Sequence, residues 1–306
     1  MDTLANAGPE APLEAQPAAP APLSPTRPLY WSVRRELWEN RSLYIAPLAV
    51  AAVVLLSFLI GTIGLPARMR AAAALDPAQQ QTKLAMPFSM ATSVIILFTY
   101  IVGAFYCLDA LYGERRDRSI LFWKSLPVSD LTTVLSKACI PLVVLPLFVF
   151  AIAIVTQLVL LALSTVVALL NGLSAAPLWR VPLFRMWLVL FYGLIVHALW
   201  HAPLYAWLLL VSAWARRTPM LWAVLPPLAL GAFERIAFGT SHFGSLIRYR
   251  LAGTLAVAFD FKARDGVVPG VEPLRFLTSP GLWSGLVVAA VCIAAAMRLR
   301  RNREPI

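Results

Sequence analysis

Charge is scarce in this sequence: 13% of its 306 residues are Asp, Glu, Lys or Arg, against roughly 25% in an ordinary soluble domain. Apolar residues make up 60% of the chain, and they gather into long blocks rather than spreading at period 2 or 3.6. That combination excludes a water-soluble globule and makes a bilayer the solvent. Cysteine is equally sparse. Cys107, Cys139 and Cys292 all fall inside or at the edge of apolar blocks, an odd number without metal-ligand spacing, so neither a disulfide framework nor a metal site is indicated. Lysine occurs four times, as Lys83, Lys124, Lys137 and Lys262. None of the four follows a Gly-rich loop, and no Gly-x-x-x-x-Gly-Lys-Ser/Thr loop occurs, so the chain has no visible means of cradling ATP phosphates.

The net charge is +11, which in a soluble protein would raise the question of nucleic acid. Here the basic residues flank apolar blocks, as orientation signals do at membrane ends, and no nucleic-acid partner is expected. Residues 1–28 hold seven Pro and seven Ala, a composition predicting a disordered tail. It lacks the basic start and apolar core of a signal peptide, so the first membrane segment is expected to serve as an uncleaved one. Residues 29–44 read as an amphipathic helix at the membrane interface, with Leu29, Val33 and Leu37 on one stripe, Trp38 beside it and Arg34, Arg35, Glu36 and Glu39 largely elsewhere.

Residues 45–306 read as a six-helix transmembrane domain. Its apolar blocks lie at about 45–65, 86–111, 138–170, 186–213, 219–238 and 281–297, each near or above the ~17 residues that cross a bilayer. The third block is long for one crossing and short for two. It counts once, with Pro141 and Pro146 bending its first turns and Asn171-Gly172 ending it. Pro203 and the pair Pro226-Pro227 interrupt later helices, which lipid tolerates where neighbours satisfy the freed carbonyls. Six crossings put both termini on one side, and the Lys and Arg bias of the short early loops makes that side the cytoplasm. The Arg216-Arg217 hairpin is the clearest marker.

The most unusual segment is the loop after the second span, Tyr112 to Asp130. It sets five charges of alternating sign, Glu114, Arg115, Arg116, Asp117 and Arg118, ahead of an apolar quartet, Ile120 to Trp123, and a Ser129-Asp130 pair suited to starting a helix. Such charges can pair with a protein surface, and Phe122 and Trp123, followed by Lys124, offer rigid anchors. His197 and His201 share a helical face in the fourth span, but Ala198 stands where a zincin needs Glu, which disfavours a metal site and leaves interhelical contact or a wet pathway. Glu234 and Arg235 near the end of the fifth span read as a local, snorkelling pair. A membrane-embedded hydrolase or lipid-modifying transferase would instead need His197, His201 and Glu234 in one site. Residues 241–261 are too apolar for a free loop and suggest a short helix on or in the outer leaflet. Gly281 and Gly285 have the spacing of a close helix contact.

The run Gly113 to Lys137, together with Arg35 to Pro47 and the six-helix plan, resembles the permease subunits of ABC-2 type ABC transporters over residues from about 29 to the C-terminus. The resemblance implies an all-α integral membrane protein without enzymatic activity of its own. It implies a permease, generally an exporter, that dimerises with a second copy or a paralogue in a bacterial inner membrane. ATP and magnesium would be bound by a separate cytosolic ATPase. By the same resemblance the loop after the second span carries the coupling helix, so its site residues are Glu114 to Arg118, Phe122, Trp123 and Lys124. The amphipathic start, with Arg34, Arg35, Leu37 and Trp38, corresponds to the connecting helix. The Pro/Ala tail and the length of the last outside loop depart from the family pattern.

Overall fold

Apolar runs without water can satisfy their backbone hydrogen bonds internally only as helices or closed barrels, and the described residues of this chain are helical almost throughout. The computed structural model describes residues 26–125, 128–260 and 268–302. Of the tail expected to be disordered, residues 1–25 lie outside them, whereas Thr26, Arg27 and Pro28 belong to the first turn of a helix. The described elements are α1 (Thr26–Glu39), α2 (Ser42–Gly61), α3 (Leu65–Ala73), α4 (Pro77–Ala110), α5 (Tyr112–Arg116), α6 (Ser119–Ser125) and α7 (Asp130–Cys139). They continue with α8 (Leu145–Leu170), α9 (Ala176–Trp179), α10 (Leu183–Trp214), α11 (Pro219–Phe238), α12 (His242–Ala258), α13 (Pro273–Leu277) and α14 (Pro280–Asn302). One short antiparallel pair, β1 (Phe259–Asp260) with β2 (Gly270–Val271), matches Phe259 to Val271 and Asp260 to Gly270.

Among the described residues, six stretches are long and apolar enough to cross a membrane: Ser42–Ala73, Pro77–Arg116, Asp130–Leu170, Ala176–Trp214, Pro219–Phe238 and Pro280–Asn302. All six expected blocks fall within them, and every stretch except the fifth, which begins at Pro219 as expected, starts earlier than its apolar run. The second begins at Pro77, where the Asp76 carboxylate accepts the Ala78 and Gln79 amides at 3.1 and 3.0 Å, an N-cap with Pro at the first helical position. The third begins at Asp130, capped by Ser129 Oγ, which accepts the Thr132 amide at 3.1 Å. Between α7 and α8 the chain makes a π-turn over Ile140–Val144. Pro141 falls inside it, so the missing N–H is absorbed by a local widening of the helix rather than by a break. Asn171 and Gly172 end α8, with Gly172 at φ 66°, a left-handed position that favours glycine.

The proline expectation also holds at α11. Pro227 leaves the Ala223 carbonyl without its helical donor, and Trp207 Nε1 of α10 donates to it at 3.1 Å. The most extensive helix contact is between α10 and α14. Gly281 and Gly285 lie on it, but they receive more than a neighbouring helix: Arg250 of α12 threads between them. Its guanidinium donates to the Gly281 and Trp200 carbonyls at 2.8 and 3.2 Å, and a Cβ on Gly285 would stand 2.5 Å from Arg250 Nη1. The segment expected at the outer leaflet is thus a helix tied to the bundle by its Arg250.

The amphipathic start needs two corrections. It runs from Thr26 to Glu39 rather than from 29 to 44, because the Glu36 carbonyl accepts both the Asn40 amide and its side chain and the following residues join the first span. Its apolar stripe also does not face lipid. Val33 and Leu37 pack on the core around Leu43, Tyr106, Cys107 and Leu209, while Tyr30, Trp31 and Trp38 are exposed.

Candidate functional site

The α4–α7 connection is built by helical period acting on a charged sequence. α4 stops at Ala110, and the Leu111 and Tyr112 amides donate to Ser212 Oγ of α10 at 3.0 and 2.9 Å. In the turn that follows, Leu111, Glu114 and Arg115 are buried and Arg116, Asp117 and Arg118 are exposed, the i, i+3, i+4 alternation of one inward face. Arg115 Nη1 donates to the Ala213 and Ala215 carbonyls at the end of α10. Arg118 then takes φ 56°, a left-handed turn that ends α5 and aims α6 in a new direction. In α6, Ile120 is buried, whereas Leu121 and Phe122 are each 60% exposed. The side chains of Trp123 and Lys124 lie outside the described residues.

Glu114 belongs to an ion cluster that joins four elements. Lys137 Nζ of α7 lies 2.9 Å from Glu36 Oε1 and 3.2 Å from Glu114 Oε1. Arg35 lies 2.8 Å from Glu36 and 3.4 Å from Glu114. Arg300 of α14 lies 3.4 Å from Glu114 Oε2 and also pairs with Asp130 at the start of α7. Tyr106 of α4 donates its hydroxyl to Glu36 Oε2 at 2.8 Å. Glu36, Lys137 and Arg300 are no more than 3% exposed and Glu114 is 8% exposed. Such burial is sustainable because the acids Glu36, Glu114 and Asp130 each face one or more of the bases Arg35, Lys137 and Arg300, with the more exposed Glu39 a further partner of Arg35 at 3.6 Å. Burial works to raise the Glu36 pKa, but the Lys137 ammonium and then the Arg35 guanidinium outweigh it and hold the carboxyl below its ordinary value.

Of the five charges expected to be able to pair with a protein surface, Glu114 and Arg115 are buried and engaged inside the chain. Arg116 is exposed and its contacts are local, with Asp117 at 2.9 Å, Asp109 at 3.8 Å and the Tyr112 ring at 5.7 Å. Of the α1 residues, Arg35 enters the cluster and Leu37 the core. Arg34 lies over the rings of Trp31 and Trp38, at 5.1 and 4.6 Å from their centroids. Sequence reasoning missed Glu36, Tyr106, Asp130, Lys137 and Arg300 as a group. The available signal was Lys137 and Arg300 at the very edge of apolar runs, which were read only as orientation charges.

His197 and His201 do come together, with ring centroids 4.1 Å apart. Tyr100 stacks on His197 at 3.5 Å and the Tyr205 hydroxyl is 3.0 Å from His197 Nε2, an interhelical contact of α4 and α10. Glu234 is not with them. Its carboxylate accepts the Thr240 hydroxyl and the His242 and Phe243 amides at 2.7, 2.6 and 2.8 Å, closing the α11–α12 turn, and Arg235 is exposed. Glu234 is thus held by α12's first residues rather than by the expected Arg235. The three residues required by an embedded enzyme do not form one site, and among the described residues no group of three or more His, Cys, Asp or Glu is placed to hold a metal ion.

No family model, curated protein or solved structure matches the chain.

Proposed function

We propose that this chain is the membrane-spanning permease subunit of an ABC-2 type transporter, an exporter whose path forms between two such subunits. The observation that carries the reading is the α5–α6 segment. Its inner face is locked to α10 and the ion cluster, while Arg116, Asp117, Arg118, Leu121 and Phe122 are offered outward. A segment anchored in this way transmits force, and its exposed aromatic and mixed charges suit a protein partner. In this reading the partner is a cytosolic ATPase that binds ATP and magnesium, and the termini lie on the cytoplasmic side of a bacterial inner membrane. Closure of the ATPases pushes on α5 and α6, and the cluster carries the push to α1, α7 and α14 together. The packing between the two permease copies is the bistable element.

The test reverses Arg116 and Arg118 to Glu in one double variant. Both are exposed, so insertion and thermal stability stay within about 0.5 kcal/mol of the parent. Co-purification with the ATPase falls at least tenfold, and transport falls with it. Full ATPase recovery and transport in that variant would overturn the coupling role. Arg115 is unsuitable for this purpose, because its reversal would place a carboxylate against the Ala213 and Ala215 carbonyls.

A further inference from the structure

At the end of the bundle opposite the ion cluster, α2, α3, α4 and α8 leave a cavity of about 720 Å³, within the range of roughly 300–1,000 Å³ that holds small ligands. Its walls are apolar, with Phe58, Leu65, Met69 and Phe88 among them, and two cations, Arg68 and Lys83, also line it. No acid does. The nearest carboxylate in sequence, Asp76, is engaged in capping α4, and the one wall hydroxyl, Ser164, donates to the Leu160 carbonyl at 2.7 Å. Met86 and Met90 line the cavity and are more than half exposed on the bundle surface, so it opens sideways onto the hydrocarbon.

The placement of the cations is informative. Lys83 is the last polar residue before the apolar run of α4 begins at Leu84, which sets it at the boundary between headgroups and hydrocarbon. Arg68 folds back onto the end of α2, where one of its terminal nitrogens donates to the Gly61 carbonyl. A guanidinium carries five N–H donors, so that bond fixes the group while leaving donors for an anion. The cavity therefore divides as a phospholipid does, with positive charge at one edge and dry apolar volume beyond it.

We propose that this cavity holds one acyl chain of an anionic phospholipid whose phosphate group lies against Arg68 and Lys83. The inference rests on the membrane setting of the six apolar helices and is independent of transport. The test incubates the purified full-length protein, in detergent, with equal amounts of phosphatidylglycerol and phosphatidylcholine of identical chains, and reads bound lipid by native mass spectrometry. The protein retains phosphatidylglycerol in preference to phosphatidylcholine. Arg68→Gln with Lys83→Gln lowers that preference on the order of tenfold, and both side chains are exposed, so folding is unaffected. Ala72→Phe, which fills the cavity from the α3 wall, lowers retention of both lipids. Equal retention of the two lipids by the parent protein would overturn the proposal. So would displacement of phosphatidylglycerol by inorganic phosphate alone, or a lipid-free protein in which Met86→Cys cross-links one copy to another.

Discussion

Glu114 and Arg115 are followed in the chain by Arg116, Asp117 and Arg118, yet the two groups occupy different surroundings. The first pair is buried against α10 and the ion cluster, and the second group is exposed. The sequence alternates in sign through all five, so charge pattern alone does not distinguish them. Helical period does, because the apolar Leu111 fixes which face turns inward, and Glu114 and Arg115 share that face. A charge-rich loop can thus hold a structural half and a contact half. Substitutions in the first half should alter stability, and substitutions in the second should alter partner binding alone.

The largest effect is expected at Lys137. Replacing it with Met keeps the side chain's length but leaves Glu36 and Glu114 without the ammonium that lies 2.9 and 3.2 Å from them. Removing one partner from a buried ionic group costs about 3–5 kcal/mol. Thermal unfolding in detergent should therefore show a large loss for Lys137→Met. A parent-like melting temperature would mean that the cluster is solvated and that the two halves of the loop do not differ as described.

A smaller effect tests by pH the cluster in which the structural half is buried. Because its folded pKa is lowered, the Glu36 carboxylate contributes stability that is present above its unfolded pKa and is lost as pH falls through the folded value. Melting temperatures of the parent should decline as pH drops below the ordinary carboxylate range. Glu36→Gln should be less stable than the parent near neutrality, with the gap narrowing in acid. A gap that stays constant across that range would remove Glu36 ionisation from the account.

Much of this fold is legible in the sequence. The six apolar blocks, the cap at Ser129, the disturbance at Pro141 and the stop at Gly172 follow from local rules that act within a few residues. The ion cluster was not legible, for a physical reason. Glu36 and Lys137 are 101 residues apart, Glu114 and Arg300 are 186 apart, and one sequence does not say which helices adjoin. Each charge had an adequate local explanation at a membrane edge, so nothing marked it as buried. The α1 stripe misled in a related way, since Val33 and Leu37 are apolar whether they face lipid or protein. The His197–His201 contact was readable from i, i+4 spacing, whereas Tyr100, on another helix, was not.

The smallest expected effect concerns the exposed half. Phe122→Ser removes an aromatic side chain from a residue that is 60% exposed and leaves the ion cluster and the Arg115 contacts intact. Surface substitutions of this kind change stability by no more than about 0.5 kcal/mol, so the melting temperature should match the parent within error. The result matters because the same substitution should weaken ATPase co-purification if Phe122 is an anchor, since truncating such residues carries much of an interface's energy. A variant with parent-like melting and reduced partner recovery would separate the contact half from the structural half at a single residue. Loss of stability at Phe122 would instead mean that α6 belongs with Glu114 and Arg115, and the division would then fall after Ser125 rather than at Arg116.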